Sequence, residues 1–489
     1  MLLAIVGFFA FVNLYALRVN MSVAMVCMVN QTALLDTSRQ DNVTAVPADD
    51  RCVARTQDQT VMEGDFAWSK EVQGVILGSF FWGYLITQVP GGWLANRFSA
   101  KRVLGYFMLM TAGATLLMPA GARFGASAVV LLRIVAGIGE GVVFPAMHHL
   151  WAKWAPPLER SKLMGFTYAG AQIGNVLTMP ISAMLCEYGF DGGWPSIFYV
   201  LGAFGVVWFI AWMLLTADSP SEHPHIGEAE RRYIEASLGA SKYPERKVPI
   251  PWSSFARSGA VWAIIVVHTG CNWGTYTLLT NIPSYMREVL KFDIKSNGLF
   301  SAIPYICFWM CINIAGISAD ALKARGWRTK TVRKLSQTLG SLLPAIFLVA
   351  TGYVTCATPY VGVVMLAIAV GFSGFQYGGF LVNHVDIAPR YAGLLFGISN
   401  TAATLPGIIA PYTIGKITTN QTQAEWRTVF YLTAAIYVVG WVVYVLLAEG
   451  EVQSWADTSP VGAPVDTKVD AEDVADNEAS KAMLTTSKI

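Results

Sequence analysis

Charged residues are scarce in this chain: Asp, Glu, Lys and Arg make up only 13% of its 489 residues, whereas 54% are hydrophobic. The mean hydropathy is +0.46. Soluble globular domains contain about 25% charged residues. The composition therefore excludes an ordinary soluble protein and predicts a membrane protein with several spans. The net charge of +2 is uninformative by itself.

Signatures of metal and redox chemistry are also lacking. The seven cysteines show no CxxC pair and no metal-ligand spacing, and most lie in apolar segments, where Cys acts as a small hydrophobic residue. Cys52, Cys186 and Cys356 are expected near one membrane face, where one disulfide of unspecified pairing is compatible with the sequence. A membrane metalloenzyme is a distant alternative, because the adjacent His148 and His149 cannot both face one metal from a helix. We expect no metal and no cofactor.

Twelve apolar segments reach the length of about 20 residues that a bilayer crossing requires. The predicted spans are residues 3–28, 72–95, 103–122, 127–151, 163–185, 196–216, 258–282, 296–316, 335–354, 359–381, 391–414 and 427–448. The first span lacks a basic start and an A-x-A site, so we do not expect a cleavable signal peptide. The predicted fold class is an all-α membrane protein of twelve transmembrane helices.

A polar, charged segment separates these spans into two sets of six. The basic loop GGWLANRFSAKR follows the second span and GISADALKARGWR follows the eighth, a repeat that indicates two pseudo-symmetric halves. The predicted organisation is an N-terminal half at 1–216 with an extracytosolic glycosylated loop at 29–71, a cytosolic loop at 217–257, a C-terminal half at 258–450, and a disordered acidic tail at 451–489.

The distribution of basic residues predicts the orientation in the membrane. Lys and Arg concentrate in the connections after even-numbered spans, which the positive-inside rule places in the cytosol together with both termini. The glycosylation sequons at Asn30, Asn42 and Asn420 then all fall on the other side. A further sequon at Asn20 lies within the first span and is expected to be silent.

A few ionisable residues lie inside the predicted spans. Arg133 and Glu140 are seven residues apart in RIVAGIGEG and so share one face of a helix, while Arg18 lies deep in the first span. Intramembrane charges normally face a bundle interior or a water-filled path. Cations and an acid together predict anion binding coupled to proton movement. The alternative is a structural Arg133–Glu140 pair that fixes helix packing.

Polar and aromatic residues recur at helical spacing in four spans. Such stripes usually serve packing, but together they would supply hydroxyl partners and flat faces for a sugar ring. The stripes are Tyr15 and Arg18; Phe80, Tyr84 and Gln88; Tyr168 and Gln172; and His268, Asn272 and Tyr276.

Several motifs resemble a known family. The two basic loops and RIVAGIGEG resemble the major facilitator superfamily, and YALRVNMSVAM, GSFFWGYLITQVPGG, FPAMHHLWAKWAPPLERSKL, YAGAQIGN and NHVDIAPRYAGLLFGISN resemble its organic anion transporter family, which contains sialin, the vesicular glutamate transporters and the type I sodium–phosphate cotransporters. Vesicular glutamate transporters typically carry His and Arg where this chain has Leu77 and Asn272, so it looks most similar to the sialin type. Ala136 stands where sialin-type proteins carry an acid.

The resemblance implies a secondary active transporter rather than an enzyme, one that exports sialic acid and acidic sugars with protons by alternating access. Vesicular uptake of glutamate or aspartate and sodium-dependent phosphate cotransport are the alternatives. The implied partners are a small organic anion and membrane lipid, with no nucleic acid, and the transporter is expected to act as a monomer. The implied location is a lysosomal or synaptic-vesicle membrane, with the plasma membrane as alternative.

Roles for individual residues follow from these patterns. Arg18 is predicted to bind the substrate carboxylate, because a planar guanidinium can contact two carboxylate oxygens. Glu140 is predicted to take up the coupling proton and to release its partner Arg133, with His148 as a further coupling or gating residue. His268 is predicted to bind substrate or relay protons. The remaining predicted substrate-binding residues are Tyr15, Tyr84, Tyr168, Asn272 and Tyr276.

Overall fold

The computed structural model describes residues 1–30, 64–156, 159–224, 226–239 and 250–456. The sequon at Asn42, Cys52 and residues 457–489 of the predicted tail lie outside these ranges. The described residues form helices joined by short connections, with an isolated β-bridge between Val29 and Phe66.

The N-terminal half consists of six spans, two of which are broken. Its helices are α1 (Leu2–Met28), α2 (Lys70–Arg97), α3 (Ala100–Leu116), α4 (Met118–Phe124), α5 (Ala126–Gly141), α6 (Val143–Trp154), α7 (Arg160–Tyr188) and α8 (Trp194–Leu215). Ser69 caps α2 by accepting a hydrogen bond from Val72 N at 3.4 Å. Pro119 and Pro145 lie in the first turns of α4 and α6. Proline has no N–H to continue a preceding helix, so both spans break there.

The central loop and the C-terminal half contain the remaining helices. They are α9 (Glu228–Gly239), α10 (Trp252–Arg257), α11 (Gly259–Glu288), α12 (Ile294–Ala324), α13 (Thr329–Thr351), α14 (Pro359–Ser373), α15 (Phe380–Ile387), α16 (Ala392–Ile417) and α17 (Gln423–Leu447). A 3-10 turn at Gly374–Tyr377 separates α14 from α15. A capping box between Thr422 and Glu425 begins α17.

Every predicted span overlaps a helix or a broken pair of helices. Ten candidates among the described residues are long and apolar enough to cross a membrane, and the α3–α4 pair, bent by 47°, would be an eleventh. Helix α11 is 30 residues long but is not among them, because polar residues such as His268 and Asn272 lower its hydropathy. The all-α fold is confirmed, whereas the count of twelve is confirmed only in part.

The two ends of the described chain lie at one face of the bundle, which we call the terminal face. The Met1 amino group lies 3.8 Å from Glu230 on α9, and the Trp455 ring packs on Phe255 at 5.0 Å. Residues 451–456 were predicted to be disordered with the rest of the tail. That prediction is wrong for them, because Trp455 covers an apolar surface of the C-terminal half and Gln453 N donates to Ile387 O.

The opposite face carries the sequons at Asn30 and Asn420, and we call it the sequon face. Cys27 and Cys186 form a disulfide there between α1 and α7. Cys186 was among the predicted disulfide candidates, whereas Cys27 was predicted to act as a small hydrophobic residue, which is wrong. The two cysteines are 159 residues apart in the sequence. Only the packing of α1 against α7 shows that they pair. Cys356 is disulfide-bonded as well.

The halves meet closely near the sequon face. A Cβ added to Gly74 of α2 would lie 2.5 Å from Pro411 O of α16, and one added to Gly298 of α12 would lie 2.2 Å from Ala183 Cβ of α7. Deeper in the bundle, Gln88 of α2 donates to Thr404 of α16 at 2.9 Å. The backbones of α2 and α16 are therefore in contact over this part of their length.

Toward the terminal face the same helices separate. Gly393 and Gly397 lie on the face of α16 that also carries Thr404, yet a Cβ on either would meet no atom within 4 Å. Gly165, on the face of α7 that carries Tyr168, is equally open. The halves are thus in contact at the sequon face, whereas these three glycines near the terminal face have open space beside them.

Candidate anion-binding site

A buried ion pair links α1 to α5 in the core of the N-terminal half. Arg18 Nη2 and Nε each lie 2.9 Å from Glu140 Oε2. Arg18 is 6% exposed and Glu140 is fully buried. Removing two charges from water is costly, and their attraction offsets that cost only when the geometry is good. Here Nε donates a hydrogen bond to Oε2, whereas Nη2 lies close to the same oxygen without a hydrogen-bond partner among the described residues, so the pair meets that condition only in part.

The predicted partnership between Arg133 and Glu140 is wrong, because Arg18 takes the carboxylate. The Arg133 guanidinium instead lies over the Phe80 ring at 4.9 Å, and its Nη1 donates to Arg18 O at 3.5 Å. Seven residues rise roughly 10 Å along a helix. Arg133 and Glu140 therefore share a face but are separated along the axis, whereas Arg18 reaches Glu140 from the neighbouring helix.

The three side chains leave an excess of positive charge in the core. Arg18 and Arg133 carry two charges against one on Glu140, and Arg133 is 2% exposed. Glu140 Oε1 and Arg133 Nε are buried without a hydrogen-bond partner among the described residues. Unpaired buried charge is strongly unfavourable, so this position would be stabilised by an anion.

Aromatic rings surround the Arg18 guanidinium. Its carbon lies 4.8 Å from the ring centroids of Tyr15 and Tyr84 and 5.1 Å from that of Phe80. Tyr276 of the C-terminal half packs on Phe81 of α2, the residue after Phe80, with ring centroids 4.4 Å apart. Four predicted substrate-binding residues, Arg18, Tyr15, Tyr84 and Tyr276, are therefore brought together between the halves.

Tyr168 and His148 form a separate cluster nearer the terminal face. Their ring centroids are 5.3 Å apart, and Tyr168 also packs on Phe11 at 4.8 Å. His148 is exposed, while the buried Tyr168 hydroxyl has no partner among the described residues. This position fits the entrance to the site rather than the Arg18 cluster.

His268 and Asn272 join α11 to α16. His268 Nδ1 lies 3.1 Å from Ser399 Oγ, and Asn272 Nδ2 donates to Ala403 O at 2.9 Å. His384 Nε2 lies 2.9 Å from the same Ser399 hydroxyl. These contacts give both predicted substrate-binding residues a packing role in this conformation.

Tyr377 was missed by the sequence analysis. It ends the 3-10 turn between α14 and α15, is 39% exposed, and packs on Phe308 with ring centroids 5.8 Å apart. The predicted span 359–381 was read as one continuous helix. The glycines of GFSGFQYGG could have indicated this break, because Gly and Ser residues are common where helices kink.

The glycines of RIVAGIGEG allow three helices to pack closely. A Cβ on Gly137 would lie 1.9 Å from Phe80 O, and one on Gly141 would lie 2.6 Å from Tyr84 O, both on α2. A Cβ on Gly139 would lie 2.5 Å from Phe107 O of α3. The spacing therefore positions Glu140 on α5 by packing its backbone against α2 and α3.

Gly137→Ala is expected to destabilise the fold by about 3 kcal/mol or more, because the new methyl group meets a backbone oxygen that cannot move aside. Gly113→Ala in α3 is the matched control, since a Cβ there meets no atom within 4 Å and alanine favours helix by up to about 1 kcal/mol. Thermal unfolding in detergent measures both. Equal melting temperatures for the two variants would contradict the packing role.

Comparison with known proteins connects this architecture to a family. The family model "Major Facilitator Superfamily" matches residues 3–411. The chain belongs to this superfamily. Human sialin is 44% identical over 455 residues, which cover 93% of this chain and 90% of sialin. Human vesicular glutamate transporter 2 is 40% identical over 460 residues, or 93% of this chain and 75% of that protein.

A putative inorganic phosphate cotransporter of Drosophila melanogaster is 40% identical over 454 residues, covering 92% of this chain and 84% of that protein. Among solved structures, a bacterial homolog of the human lysosomal transporter Spinster aligns with a TM-score of 0.66 at 14% identity, over 91% of this chain and 96% of its own. The D-xylose–proton symporter gives 0.65 at 15% identity, over 92% and 97%. These structures share the fold.

The relatives place the chain in the organic anion transporter family that its motifs resemble. It is a multi-pass membrane transporter rather than an enzyme, which confirms the prediction of family, fold and general activity. The expected small-molecule substrate follows from the family.

Proposed function

We propose that this protein exports sialic acid and related acidic sugars together with protons by alternating access. The observation that carries the proposal is the excess positive charge formed by Arg18, Arg133 and Glu140, which are all buried. A site with a net positive charge attracts an anion. In this structure the Glu140 carboxylate already contacts the Arg18 guanidinium. Glu140 thus holds the place that a substrate carboxylate would take.

Proton and substrate transport are coupled because Glu140 and the substrate carboxylate compete for Arg18. A substrate carboxylate and ionised Glu140 would both require the Nε and Nη2 donors of the same guanidinium. Protonation of Glu140 removes its charge and leaves Arg18 free to bind the substrate. Loss of that proton restores the Arg18–Glu140 pair and expels the anion. This replaces the sequence-based hypothesis that the proton releases Arg133.

The surrounding side chains favour an acidic sugar. The rings of Tyr15 and Tyr84 flank Arg18 and offer flat faces with hydroxyl groups at their edges, which suits a sugar ring bearing one carboxylate. Arg133 supplies a second cation near the same position. Tyr168 and His148 would line the route to the terminal face.

The orientation combines the open terminal face with the positive-inside rule. The basic loops lie at the terminal face, which we assign to the cytosol with both termini. The sequon face, with proposed glycans at Asn30, Asn42 and Asn420, would then face the lumen of a lysosome or vesicle. In this conformation the site would release an exported anion to the cytosol.

Uptake into proteoliposomes tests the proposal, with sialic acid, glucuronate, glutamate and phosphate offered separately under an imposed proton gradient. We expect the acidic sugars to be transported, with flux stimulated by protons moving in the same direction. Flux that ignores pH and requires sodium would instead favour phosphate cotransport. Glutamate uptake driven by membrane potential would favour the vesicular glutamate alternative.

A further inference from the structure

A second buried ion pair joins the two halves at the sequon face. Lys70 Nζ contacts Glu288 Oε1, and the residues are 7% and 5% exposed. Lys70 begins α2 of the N-terminal half, and Glu288 ends α11 of the C-terminal half. Trp426 Nε1 of α17 donates to the other carboxylate oxygen at 3.0 Å. The contact therefore spans three helices and both halves.

Lys70 and Glu288 each lie at the helix end where the helix dipole disfavours their charge. Lys70 is in the first turn of α2, where the helix dipole is positive, and Glu288 is in the last turn of α11, where the dipole is negative. Burial adds a desolvation cost for both groups. Neither charge is stabilised by the dipole of its own helix, and the ion pair between them crosses from one half to the other.

The surrounding backbone leaves little room between the halves. A Cβ on Gly415 of α16 would lie 2.4 Å from Lys70 O. Nearby, Arg287 Nη1 donates to Val26 O of α1 at 2.9 Å, which also joins the halves. These contacts separate the sequon face from Leu77, which lies two turns further along α2 and is 3% exposed.

We propose that Lys70, Glu288 and Trp426 form the gate that closes the sequon face, and that breaking the Lys70–Glu288 pair accompanies opening on that side. This inference rests on the proposed alternating-access cycle. When the halves separate, both charges are hydrated, which compensates the lost attraction. A charged gate can therefore open more readily than an apolar contact of the same area.

The test measures access from the sequon side without requiring any substrate. The full chain carries Leu77→Cys as reporter, with Cys271, Cys307 and Cys311, the free cysteines among the described residues, changed to Ser. A membrane-impermeant maleimide is added on the sequon side. Lys70→Met should increase the labelling rate by more than about tenfold, because it leaves Glu288 buried without its partner.

The gate predicts a pattern across variants. Lys70→Met/Glu288→Gln and the charge exchange Lys70→Glu/Glu288→Lys should both return labelling toward the starting rate, since neither leaves an unpaired buried charge. Lys416→Met is the matched control. It breaks an ion pair with Glu71 at 3.5 Å that also joins the two halves, from α16 to α2, but both side chains are about half exposed, so labelling should remain unchanged.

The proposal would be overturned if Lys70→Met labelled no faster than Lys416→Met, or if the double variants labelled as fast as the single one. If Lys70→Met does not reach the membrane, Glu288→Asp replaces it, since it keeps the charge but withdraws it from Lys70. It too must label faster than the control. Labelling reports the gate alone, so failure of the proposed substrate or proton coupling would leave this result unaffected.

Discussion

Arg18→Lys is expected to mature normally and to reduce transport of an acidic sugar by about one to two orders of magnitude. Lysine keeps the positive charge but presents one ammonium group, whereas Arg18 donates a hydrogen bond to Glu140 from Nε and places Nη2 2.9 Å from the same oxygen. Losing one hydrogen bond to a charged group costs about 1.5–3 kcal/mol, which corresponds to that loss in rate. Initial uptake rates in proteoliposomes, normalised to protein content, provide the measurement.

Arg123→Lys is the control for this substitution. Arg123 pairs with Asp191 at 2.8 Å, but both side chains are exposed, so the same chemical change there should leave transport intact. Arg18→Lys with a near-normal apparent affinity would show that Arg18 has a structural role. The anion would then be bound by Arg133, whose guanidinium has no carboxylate partner among the described residues.

Glu140→Gln should bind substrate at least as tightly as the unaltered protein while losing proton-driven accumulation. Glutamine has the volume of protonated glutamate and keeps its hydrogen-bonding capacity, but it cannot exchange a proton. It also removes the negative charge that competes with the substrate carboxylate for the Arg18 guanidinium. Accumulation against a concentration gradient and substrate binding in detergent separate the two effects, and slow exchange should persist.

Stability must be checked in the same variant. Removing the charge of Glu140 leaves Arg18 unpaired in the core, which costs about 3–5 kcal/mol for a tightly buried pair. Bound substrate should recover part of this loss, because its carboxylate replaces the missing one. Glu71→Gln, in an exposed pair with Lys416, serves as the control. A well-expressed Glu140→Gln protein that still concentrates substrate would contradict the coupling role.

The residue at position 136 makes the Glu140→Gln experiment easier to interpret. Ala136 lies one turn before Glu140, and its small apolar side chain is 1% exposed. No carboxylate at 136 can compensate for the loss of Glu140. Proton coupling in this chain should therefore depend more strongly on Glu140 than it would in a protein that carries both acids.

The features that the sequence predicted well depend on residues close to one another in the chain. Apolar runs of sufficient length marked the helices, and the repeated basic loops marked the two halves. Helical spacing correctly placed Tyr15 beside Arg18, and the ring of Tyr84 lies 4.8 Å from the same guanidinium. Such patterns need only the geometry of one helix together with the knowledge that intramembrane charges avoid lipid.

The contacts that the sequence could not predict connect distant helices. Arg18 and Glu140 are 122 residues apart, and only the tertiary arrangement of α1 and α5 selects Arg18 over Arg133. Lys70 and Glu288 both fall outside the predicted apolar spans and so resembled loop residues. The structure extends α2 and α11 to include them and brings them together 218 residues apart.

The most direct test of the account is proton movement during sugar uptake. Proteoliposomes containing a trapped pH indicator receive sialic acid with equal pH on both sides and the membrane potential clamped. The account predicts that the interior acidifies in step with sugar entry, and that Glu140→Gln liposomes exchange sugar without acidification. Sugar uptake that proceeds in the unaltered protein without any acidification would contradict proton coupling at Glu140.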